Sequence, residues 1–360
     1  MLRPTAAKIK LSSLRHNVSF AKSIAPATKL MAVIKADAYG HGAISVAEAL
    51  EDDVEAFAVA SLDEAMELRG QKISTPVLIL EGVFSPEAIK TCSLNDITIA
   101  VHNSTQLDWL ERARIENKVN CWLKIDTGMS RLGIKPEMVS LSLERLQSCS
   151  HVAKDIVLFT HLACADDLNN NFTSTQLKIF NQITSNFLLP RSTANSAGIL
   201  GWPSSHLDWI RPGYMLYGNS PFVVSDEKYS ALKPVMTLTS EVIATREVPK
   251  GSSVGYGSSW TARENSKIAT VCVGYGDGYP RQAPIGTPVL INGQRAPLAG
   301  RVSMDMITVD ISNISAKIGD EVVLWGDGLP LNEIANTANT IGYELTARMP
   351  KRVPRIVIDD

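Results

Sequence analysis

The 360-residue sequence has few cysteines, no excess of basic residues and no long hydrophobic run, and each absence excludes a class of protein. Its five cysteines are widely spaced and form no C-x-x-C pair, which argues against a disulfide framework or a zinc site. With 35 basic and 37 acidic residues, the chain offers no extended basic face to nucleic acid. No stretch is long and apolar enough to cross a bilayer, so we expect no membrane partner.

Two further absences limit the possible functions and locations of the protein. The six histidines show no ligand spacing, so the sequence predicts no catalytic metal. The first eleven residues contain no apolar core of signal-peptide length, so the expected location is the cytoplasm. With a formal net charge of -2 and 45% hydrophobic residues, the chain is typical of a globular protein that binds a small molecule.

Short apolar segments alternate with amphipathic ones in the first two-thirds of the chain, as in parallel strands covered by helices. Ser61 with Glu64 forms a capping-box pattern, and Ser85 precedes Pro86 at a predicted helix start. Eight such units favour a (β/α)8 TIM-type barrel, although a doubly wound open sheet remains the alternative. The eight predicted strands are LMAVIK (30–35), AFAVA (56–60), VLIL (77–80), ITIAV (97–101), CWLKID (121–126), IVLFTHL (156–162), STANS (192–196) and WIRPGYMLYG (209–218).

The pattern changes after Pro221, where alternating strands are separated by Gly, Pro and Asn turns. We therefore predict an α/β barrel domain over residues 1–230 and a mainly β domain over residues 231–360. One helix is expected over 331–342 and a last strand in RVPRIVI. GYGDG at 274–278 lacks the G-x-G-x-x-G spacing and is interpreted as a turn.

The segment KLMAVIKADAYGHG (29–42) places Lys35 at the end of an apolar strand, directly before a glycine-bounded turn. Burial lowers the pKa of a lysine toward the neutral, nucleophilic amine that a Schiff base requires. Taken alone, a lysine at a strand end is more often a solvated or ion-paired residue.

Four more polar residues lie at or near the predicted strands. Arg131 follows the fifth strand, His161 lies at the end of the sixth, Ser196 ends the seventh, and Arg211 lies within the eighth. Each alone has an ordinary structural explanation, such as a core histidine, a structural arginine or a helix cap. In a (β/α)8 barrel, however, the carboxyl ends of the strands meet at one face, so these side chains would converge near Lys35. Because arginine presents a planar fork to carboxylate or phosphate, the set predicts a site for an anionic cofactor and a carboxylate substrate.

Several motifs are distributed over essentially the whole chain: AVIKADAYGHG, KIDTGMSRLG, THLACAD, NSAG, IRPGYMLYG, VGYGSSW, VGYGDGYPR, GRVSMDM and IGYE. They closely resemble the motifs of the alanine racemase family, whose members are fold-type III pyridoxal 5'-phosphate enzymes. The resemblance implies a barrel, a β-rich C-terminal domain and a homodimer with shared active sites. It also implies interconversion of L-alanine and D-alanine, which supplies or consumes D-alanine for peptidoglycan metabolism.

The resemblance also implies residue roles. Lys35 would carry the cofactor covalently and act as one acid/base, and Tyr256 would act as the other from the opposite face. Arg131 would contact the cofactor and orient the substrate carboxylate, while Met304 and Tyr275 would border the substrate from the partner subunit. Lys124 would be a site of N-carboxylation. The implied phosphate ligands are Tyr39, Ser196, Gly213, Tyr214 and Tyr343.

Arg211 would face the pyridine nitrogen, where many related enzymes place a carboxylate. Because a guanidinium only donates hydrogen bonds, the ring nitrogen would stay unprotonated and withdraw electrons weakly. We expect this to favour proton return to the α-carbon over transamination, with His161 hydrogen-bonding to Arg211. Three alternatives stay open: a broad-specificity racemase, a basic amino-acid decarboxylase, which Arg211 argues against, and a non-catalytic pyridoxal phosphate-binding barrel.

Overall fold

The computed structural model of the protein describes residues 3–222 and 231–358, so the predicted boundary at residue 230 lies outside the described residues. Strand β1 (Ala6–Lys10) and helix α1 (Leu11–Ile24) precede a closed barrel of eight parallel strands. The prediction of a (β/α)8 barrel is confirmed, and the open-sheet alternative is wrong. The barrel strands are β2 (Lys29–Val33), β3 (Ala56–Val59), β4 (Val77–Ile79), β5 (Ile97–Val101), β6 (Cys121–Lys124), β7 (Val157–Phe159), β8 (Arg191–Ser192) and β9 (Trp209–Ile210).

Pairing between the first and last barrel strands closes the sheet, with Leu30 opposite Ile210. Most residues of the strands are apolar because both faces of the sheet are buried. Met31 and Val33 point into the barrel, where they pack with Trp122 and Phe159. The alternate residues face the surrounding helices and form the larger core between helices and barrel.

Helices alternate with the barrel strands and cover them. The predicted start of α5 at Pro86, after Ser85, is confirmed. The predicted capping box is wrong, because the Ser61 side chain makes no cap hydrogen bond and Glu64 accepts from Ala36 N at 2.7 Å and Ala60 N at 2.6 Å. The helical segments here are α2 (Lys35–Gly40), α3 (Ala43–Leu50), α4 (Leu62–Gly70), α5 (Pro86–Leu94), α6 (Ser104–Arg112), α7 (Val139–Ser148), α8 (Phe172–Thr184) and α9 (Ser196–Gly201).

Several barrel strands are shorter than the sequence pattern predicts. β2 ends at Val33, so Lys35 follows the strand and does not end it. β8 ends at Ser192, and Ser196 is the first residue of α9. β9 ends at Ile210, so Arg211 lies just beyond the strand. These polar residues therefore lie just beyond the strands at the barrel rim, where their side chains can turn toward a ligand.

The rest of the described chain is mainly β. β1 joins this part of the molecule by pairing antiparallel with β10 and parallel with β18. The strands are β10 (Met236–Val248), β11 (Ser253–Val254), β12 (Trp260–Thr261), β13 (Ser266–Val271), β14 (Pro288–Ile291), β15 (Gln294–Pro297), β16 (Ile307–Asp310), β17 (Glu321–Trp325) and β18 (Arg355–Ile358).

The main sheet runs in the order β15-β14-β17-β10-β1-β18, and β13 and β16 extend from β10. The single helix predicted over 331–342 is wrong, because α10 (Leu331–Thr337) ends before a second helix, α11 (Gly342–Ala347), begins. Asn339 has a φ of 53° in the turn between them. None of the helices in the described ranges has the length and apolar character that a bilayer span requires.

Candidate active site

The segment after Lys35 has an unusual backbone. Ala36, Asp37, Ala38 and Tyr39 have φ angles of 53°, 55°, 52° and 53°, so the chain makes a left-handed turn without glycine. This conformation costs about 1 to 2 kcal/mol per residue and persists only where the surroundings impose it. Glu64 contributes by accepting the Ala36 N–H. The turn therefore fixes Lys35 and Tyr39 at the barrel rim.

Lys35 is partly buried in this turn. Burial lowers the pKa of its amine, and the positive charge of Arg131 lowers it further, while Glu81 and Glu64 oppose the shift. A lower pKa leaves more of the neutral, nucleophilic amine at a given pH. The environment of Lys35 thus favours covalent chemistry with an aldehyde.

Arg211 is 4% exposed, and its guanidinium faces neutral acceptors. It donates to Ser192 Oγ, to Thr160 O at 2.6 Å and to Thr193 O at 3.4 Å. No ion pair among residues 3–222 and 231–358 includes Arg211. Burial lowers its pKa to about 10, which still leaves the guanidinium protonated near neutral pH. Arg211 is therefore a buried cation that presents donors only.

Lys124 lies at the end of β6, on the same strand face as Trp122 and above it in the barrel. Its ammonium and the Arg211 guanidinium lie 5.5 and 5.3 Å from the centroid of the Phe159 ring. Burial and the charges of Arg211, Arg131 and Lys35 lower the pKa of Lys124 to about 8. Four cations thus influence one another at this rim, which makes the site favourable to anions.

His161 lies beside these cations. Burial and the charge of Arg211 hold its pKa well below the usual range, so the imidazole is neutral. The hydrogen bonds of the described ranges do not include the predicted one between His161 and Arg211. The His161 backbone oxygen accepts instead from Gln176 Nε2 at 3.0 Å. Gln176 is fully buried and also accepts from Ala163 N at 2.8 Å, so it holds this loop in place.

Ser196 and Gly213 form the base of a polar pocket near Tyr39. Ser196 Oγ accepts from Gly213 N at 3.0 Å and from Met215 N at 3.3 Å. A Cβ at Gly213 would lie 2.7 Å from Tyr39 Oη, so a side chain there would collide with the tyrosine. Glycine thus permits the close approach that brings the two hydroxyls and the backbone together.

Tyr343 extends this pocket from α11 of the same chain. Its ring stacks on Tyr214 with 3.7 Å between centroids and lies 6.2 Å from the ring of Tyr39. Tyr214 Oη donates to Asn332 Oδ1 at 2.6 Å, so its hydroxyl already has a partner. Burial raises the pKa of Tyr39 to about 12 and that of Tyr343 above its usual range. Both hydroxyls therefore remain donors, which suits a phosphate.

Three predicted residues lie away from this cluster in the single chain. Tyr256, Met304 and Tyr275 are 69%, 53% and 40% exposed. The charged groups that shift the pKa of Lys35 are Arg131, Glu81 and Glu64, all from the barrel. Arg131 itself is exposed at the rim. The single chain thus brings the barrel residues together with Tyr343 and leaves Tyr256, Met304 and Tyr275 facing solvent.

Sequence reasoning did not identify the residues that support the site. Glu64 was interpreted only as a helix cap, and Gln176 and Thr160 were not singled out. Glu64 accepts from Ala36 N, Gln176 donates to His161 O, and the backbone oxygen of Thr160 accepts from Arg211. Each of these contacts joins separate segments, for which a single sequence carries no signal. Among the residues that the structure describes, no group of three or more His, Cys, Asp or Glu side chains could hold a metal ion.

Comparison with known proteins identifies the family. The chain matches the family models "Alanine racemase, N-terminal domain" over residues 9–221 and "Alanine racemase, C-terminal domain" over residues 235–357. The chain belongs to the alanine racemase family. It is 46% identical to an alanine racemase of Photobacterium profundum over 98% of this chain and 99% of that protein. The motif resemblance seen in the sequence is confirmed.

Solved structures of the alanine racemase family agree with this assignment. The biosynthetic alanine racemase of Pseudomonas aeruginosa matches with a TM-score of 0.95 and 44% identity over 99% of each chain. The alanine racemase of Acinetobacter baumannii matches with a TM-score of 0.94 and 37% identity, over 99% of this chain and 100% of that one. Both confirm the barrel followed by a mainly β domain.

As a family member, the chain is a pyridoxal 5'-phosphate-dependent isomerase, and the groups at its barrel rim fit that cofactor. Lys35 offers an amine of lowered pKa for the aldehyde. Ser196 and Tyr39 would offer hydroxyls to the phosphate beside the backbone of Gly213. Arg211 offers a donor to the ring nitrogen. The aldehyde, the phosphate and the ring nitrogen of the cofactor thus each have a matching group in the chain.

Proposed function

We propose that the protein is an alanine racemase that interconverts L-alanine and D-alanine with two acid/base groups, Lys35 and Tyr256. The observation that carries this proposal is the pairing of a lysine of lowered pKa with a buried arginine that has no carboxylate partner in the described chain. Relatives of the family over nearly the full length support the same substrate. In this proposal, residues 1–230 supply Lys35, and residues 231–360 supply Tyr256.

Bound pyridoxal phosphate supplies an electron-withdrawing ring that acidifies the α-proton of the attached amino acid. Lys35 Nζ exchanges a proton with the α-carbon on one face, and Tyr256 Oη exchanges a proton on the other. Two groups on opposite faces are needed because racemisation removes the proton from one side and returns it to the other. Arg131 orients the substrate carboxylate, which it can bind through two parallel hydrogen bonds.

The remaining polar groups hold the cofactor in this proposal. The phosphate lies against the hydroxyls of Tyr39, Ser196 and Tyr343 and the backbone N–H groups of Gly213 and Tyr214. His161 is a neutral neighbour of Arg211 that adds no competing charge. These assignments rest on the short contacts among Ser196, Gly213 and Tyr39.

We place Tyr256 in the active site of the partner subunit of a homodimer. Tyr256 is 69% exposed in the single chain, an unusual state for a group that must transfer protons away from water. Met304 and Tyr275 are exposed as well, and in a dimer they border the substrate bound to the partner's Lys35. A dimer explains the exposure of all three residues together.

Subunit mixing tests this arrangement. Lys35→Ala and Tyr256→Phe subunits are each expected to be nearly inactive alone. If each site takes Lys35 from one chain and Tyr256 from the other, a hybrid dimer contains one intact site. Refolding an equimolar mixture should therefore restore about a quarter of the wild-type activity. No recovery in a mixture that forms hybrid dimers would place both groups in one chain.

A direct experiment tests the main proposal. The purified protein should be yellow, and borohydride should remove the colour and fix the cofactor to Lys35. The same preparation should interconvert L- and D-alanine. A colourless protein, or a yellow one that does not exchange alanine, would overturn the proposal. Rates with serine, lysine and arginine then separate an alanine racemase from a broad-specificity racemase or a decarboxylase.

Lys124 is proposed as a site of N-carboxylation. Its pKa of about 8 leaves a sizeable fraction of neutral amine, the form that reacts with carbon dioxide. The modification would replace one of the four cations with an anion that holds Arg131. Intact-mass measurement with and without bicarbonate tests this modification.

We also propose a cytoplasmic location, because the five free cysteines are consistent with a reducing compartment. In this proposal the protein takes part in peptidoglycan precursor metabolism.

A further inference from the structure

The GYGDG turn at 274–278 contains a buried carboxylate that the mechanism does not use. Asp277 is fully buried, although its neighbour Tyr275 is 40% exposed. Asp277 accepts hydrogen bonds from Gly274 N at 2.9 Å and from two nitrogens of Arg3, and it forms an ion pair with Arg352 Nε at 2.9 Å. A buried carboxylate without partners would be strongly destabilising, so this network holds both arginines in place.

Backbone contacts join this turn to a second loop, residues 303–306. Tyr275 N donates to Ser303 O at 3.0 Å, and Gly276 N donates to Met304 O at 2.8 Å. A Cβ at Gly274 would lie 2.3 Å from Ser303 O, so only glycine allows the backbones this close. The two loops therefore pack against each other as one unit, with Tyr275 on one and Met304 on the other.

Both arginines also reach across to the second loop. Arg352 Nη2 donates to Asp305 Oδ1 at 2.7 Å, and Arg3 Nη2 donates to Asp305 O at 3.2 Å. Each guanidinium thus bridges Asp277 and Asp305, the residue directly after Met304. Planar guanidinium groups suit this role because their donors point in fixed directions. These bonds bring together four parts of the sequence, near residues 3, 277, 305 and 352.

We propose that Asp277, through Arg3 and Arg352, is a positioning residue that fixes the spacing between Tyr275 and Met304 and so limits the size of the accepted amino-acid side chain. This inference rests on the proposed function, in which both residues border the substrate bound to the partner subunit. Asp277 is fully buried and acts through the backbone of its own turn and through the arginines. Loosening it should change substrate selection more than proton transfer.

The test compares L-alanine with L-serine in the dimeric, cofactor-loaded enzyme. Asp277→Asn keeps the size of the side chain but removes its charge. We expect the KM for alanine to rise about tenfold, because the loosened Tyr275 and Met304 would hold the substrate less well, while kcat changes less than about threefold. The ratio of kcat/KM for alanine over serine should fall about fivefold. An unchanged ratio in a dimeric, yellow variant would overturn the inference.

Two further variants separate positioning from general destabilisation. Arg352→Lys keeps a positive charge beside Asp277 but cannot bridge both carboxylates, so a smaller shift in the same ratio is expected. It also decides the question if Asp277→Asn does not fold, because an unchanged ratio in Arg352→Lys then overturns the inference. Arg295→Gln is the control: it removes the ion pair with Glu333, which shares no residue with this network. An equal shift in Arg295→Gln would contradict a specific role for Asp277.

Failure of the inference can be distinguished from failure of the proposed function. Met304→Ala should alter the alanine-to-serine ratio if Met304 borders the substrate. If the wild-type enzyme racemises alanine and Met304→Ala shifts the ratio while Asp277→Asn does not, only the positioning role is overturned. If the wild-type enzyme does not racemise alanine, the proposed function itself fails.

Discussion

Arg211 donates a hydrogen bond of 2.6 Å to the backbone oxygen of Thr160, so a neutral carbonyl at the end of the barrel holds this buried cation in place. Ser192 Oγ accepts a second hydrogen bond from the same guanidinium. Its remaining donor capacity is available to a ligand at the barrel rim. Arg211 thus provides a group that only donates hydrogen bonds, at a position where a carboxylate would instead accept a proton.

Arg211→Glu tests this choice of residue. A carboxylate would stabilise a proton on the ring nitrogen, strengthen electron withdrawal and make proton return to the α-carbon less favoured. Racemisation should fall at least about tenfold, and pyruvate formed per racemisation event should rise. Chiral amino-acid analysis and a coupled pyruvate assay measure the two rates. Arg211→Lys is the control, because it lacks the planar fork but adds no acceptor. No rise in pyruvate in Arg211→Glu would contradict the argument.

Tyr256→Phe removes one hydroxyl and, in the proposed mechanism, one of the two acid/base groups. General acid/base groups typically contribute about 10²- to 10⁴-fold to the rate, so kcat in both directions should fall within that range. The absorbance of the bound cofactor should remain, because Lys35 is unchanged. Steady-state kinetics starting from each enantiomer provide the measurement. Retention of wild-type kcat would remove Tyr256 from the mechanism.

Tyr279→Phe also removes one tyrosine hydroxyl and is the matched control for Tyr256→Phe. The structure predicts a separate effect of this variant on stability. Tyr279 is buried, and in the described chain its hydroxyl has no hydrogen-bond partner. Removing an unpaired buried polar group should leave kcat unchanged and raise the free energy of unfolding by about 1 kcal/mol. Urea unfolding of the cofactor-loaded dimer measures the change. A loss of stability would show that the hydroxyl has a partner, such as an ordered water.

The eight-strand barrel could be predicted because its strands are buried on both faces and therefore appear as short apolar runs. The positions of Lys35 and Arg211 followed from strand counting, since parallel strands all end at the same rim. The β-rich part was equally visible: β10 spans the same residues, 236–248, as the alternating segment MTLTSEVIATREV. Hydrophobic periodicity indicates which side of a strand is buried, and the formation of these strands depends mainly on that burial.

Other features could not be predicted, because they depend on contacts between distant segments. Nothing in ADAY suggests four successive left-handed residues, since the conformation is imposed by tertiary contacts such as the one with Glu64. Gln176 and Asp277 are polar residues in ordinary sequence surroundings, and only the fold shows that they are fully buried. The exposure of Tyr256 likewise depends on how the two parts of the chain pack together.

Acid stability should depend on His41. Burial lowers its pKa from 6.5 to about 4 in the folded protein, and its Nε2 has no partner in the described ranges. Between these pH values the unfolded chain binds a proton that the folded chain does not, so stability falls as the pH falls from about 6.5 to about 4. The contribution is about 3 kcal/mol at most, because one pKa unit corresponds to about 1.4 kcal/mol.

His41→Asn keeps a donor near the position of Nδ1, which bonds to Ala38 O and Tyr39 O, but cannot take up a proton. The loss of unfolding free energy between pH 6.5 and 4 should therefore be smaller in this variant. His151→Asn, at a partly exposed position, is the control and should retain the wild-type slope. Equal slopes in wild type and His41→Asn would contradict the assignment.

Arg131 should control the pH at which the apoenzyme takes up its cofactor. Burial and the positive charge of Arg131 both lower the pKa of Lys35, and only the neutral amine attacks an aldehyde. Arg131→Gln removes that charge, so the pKa of Lys35 rises and less neutral amine is present at each pH. The midpoint of the reconstitution rate, followed by absorbance after adding pyridoxal phosphate, should therefore move to higher pH.

Arg131→Lys separates this electrostatic effect from lost contacts with the cofactor. Lysine keeps the positive charge but not the planar fork, so the reconstitution rate should fall while its midpoint stays closer to that of the wild type. Arg131→Gln should shift the midpoint even if its rate is also lower at every pH. A midpoint that is the same in wild type and Arg131→Gln would show that burial alone tunes Lys35.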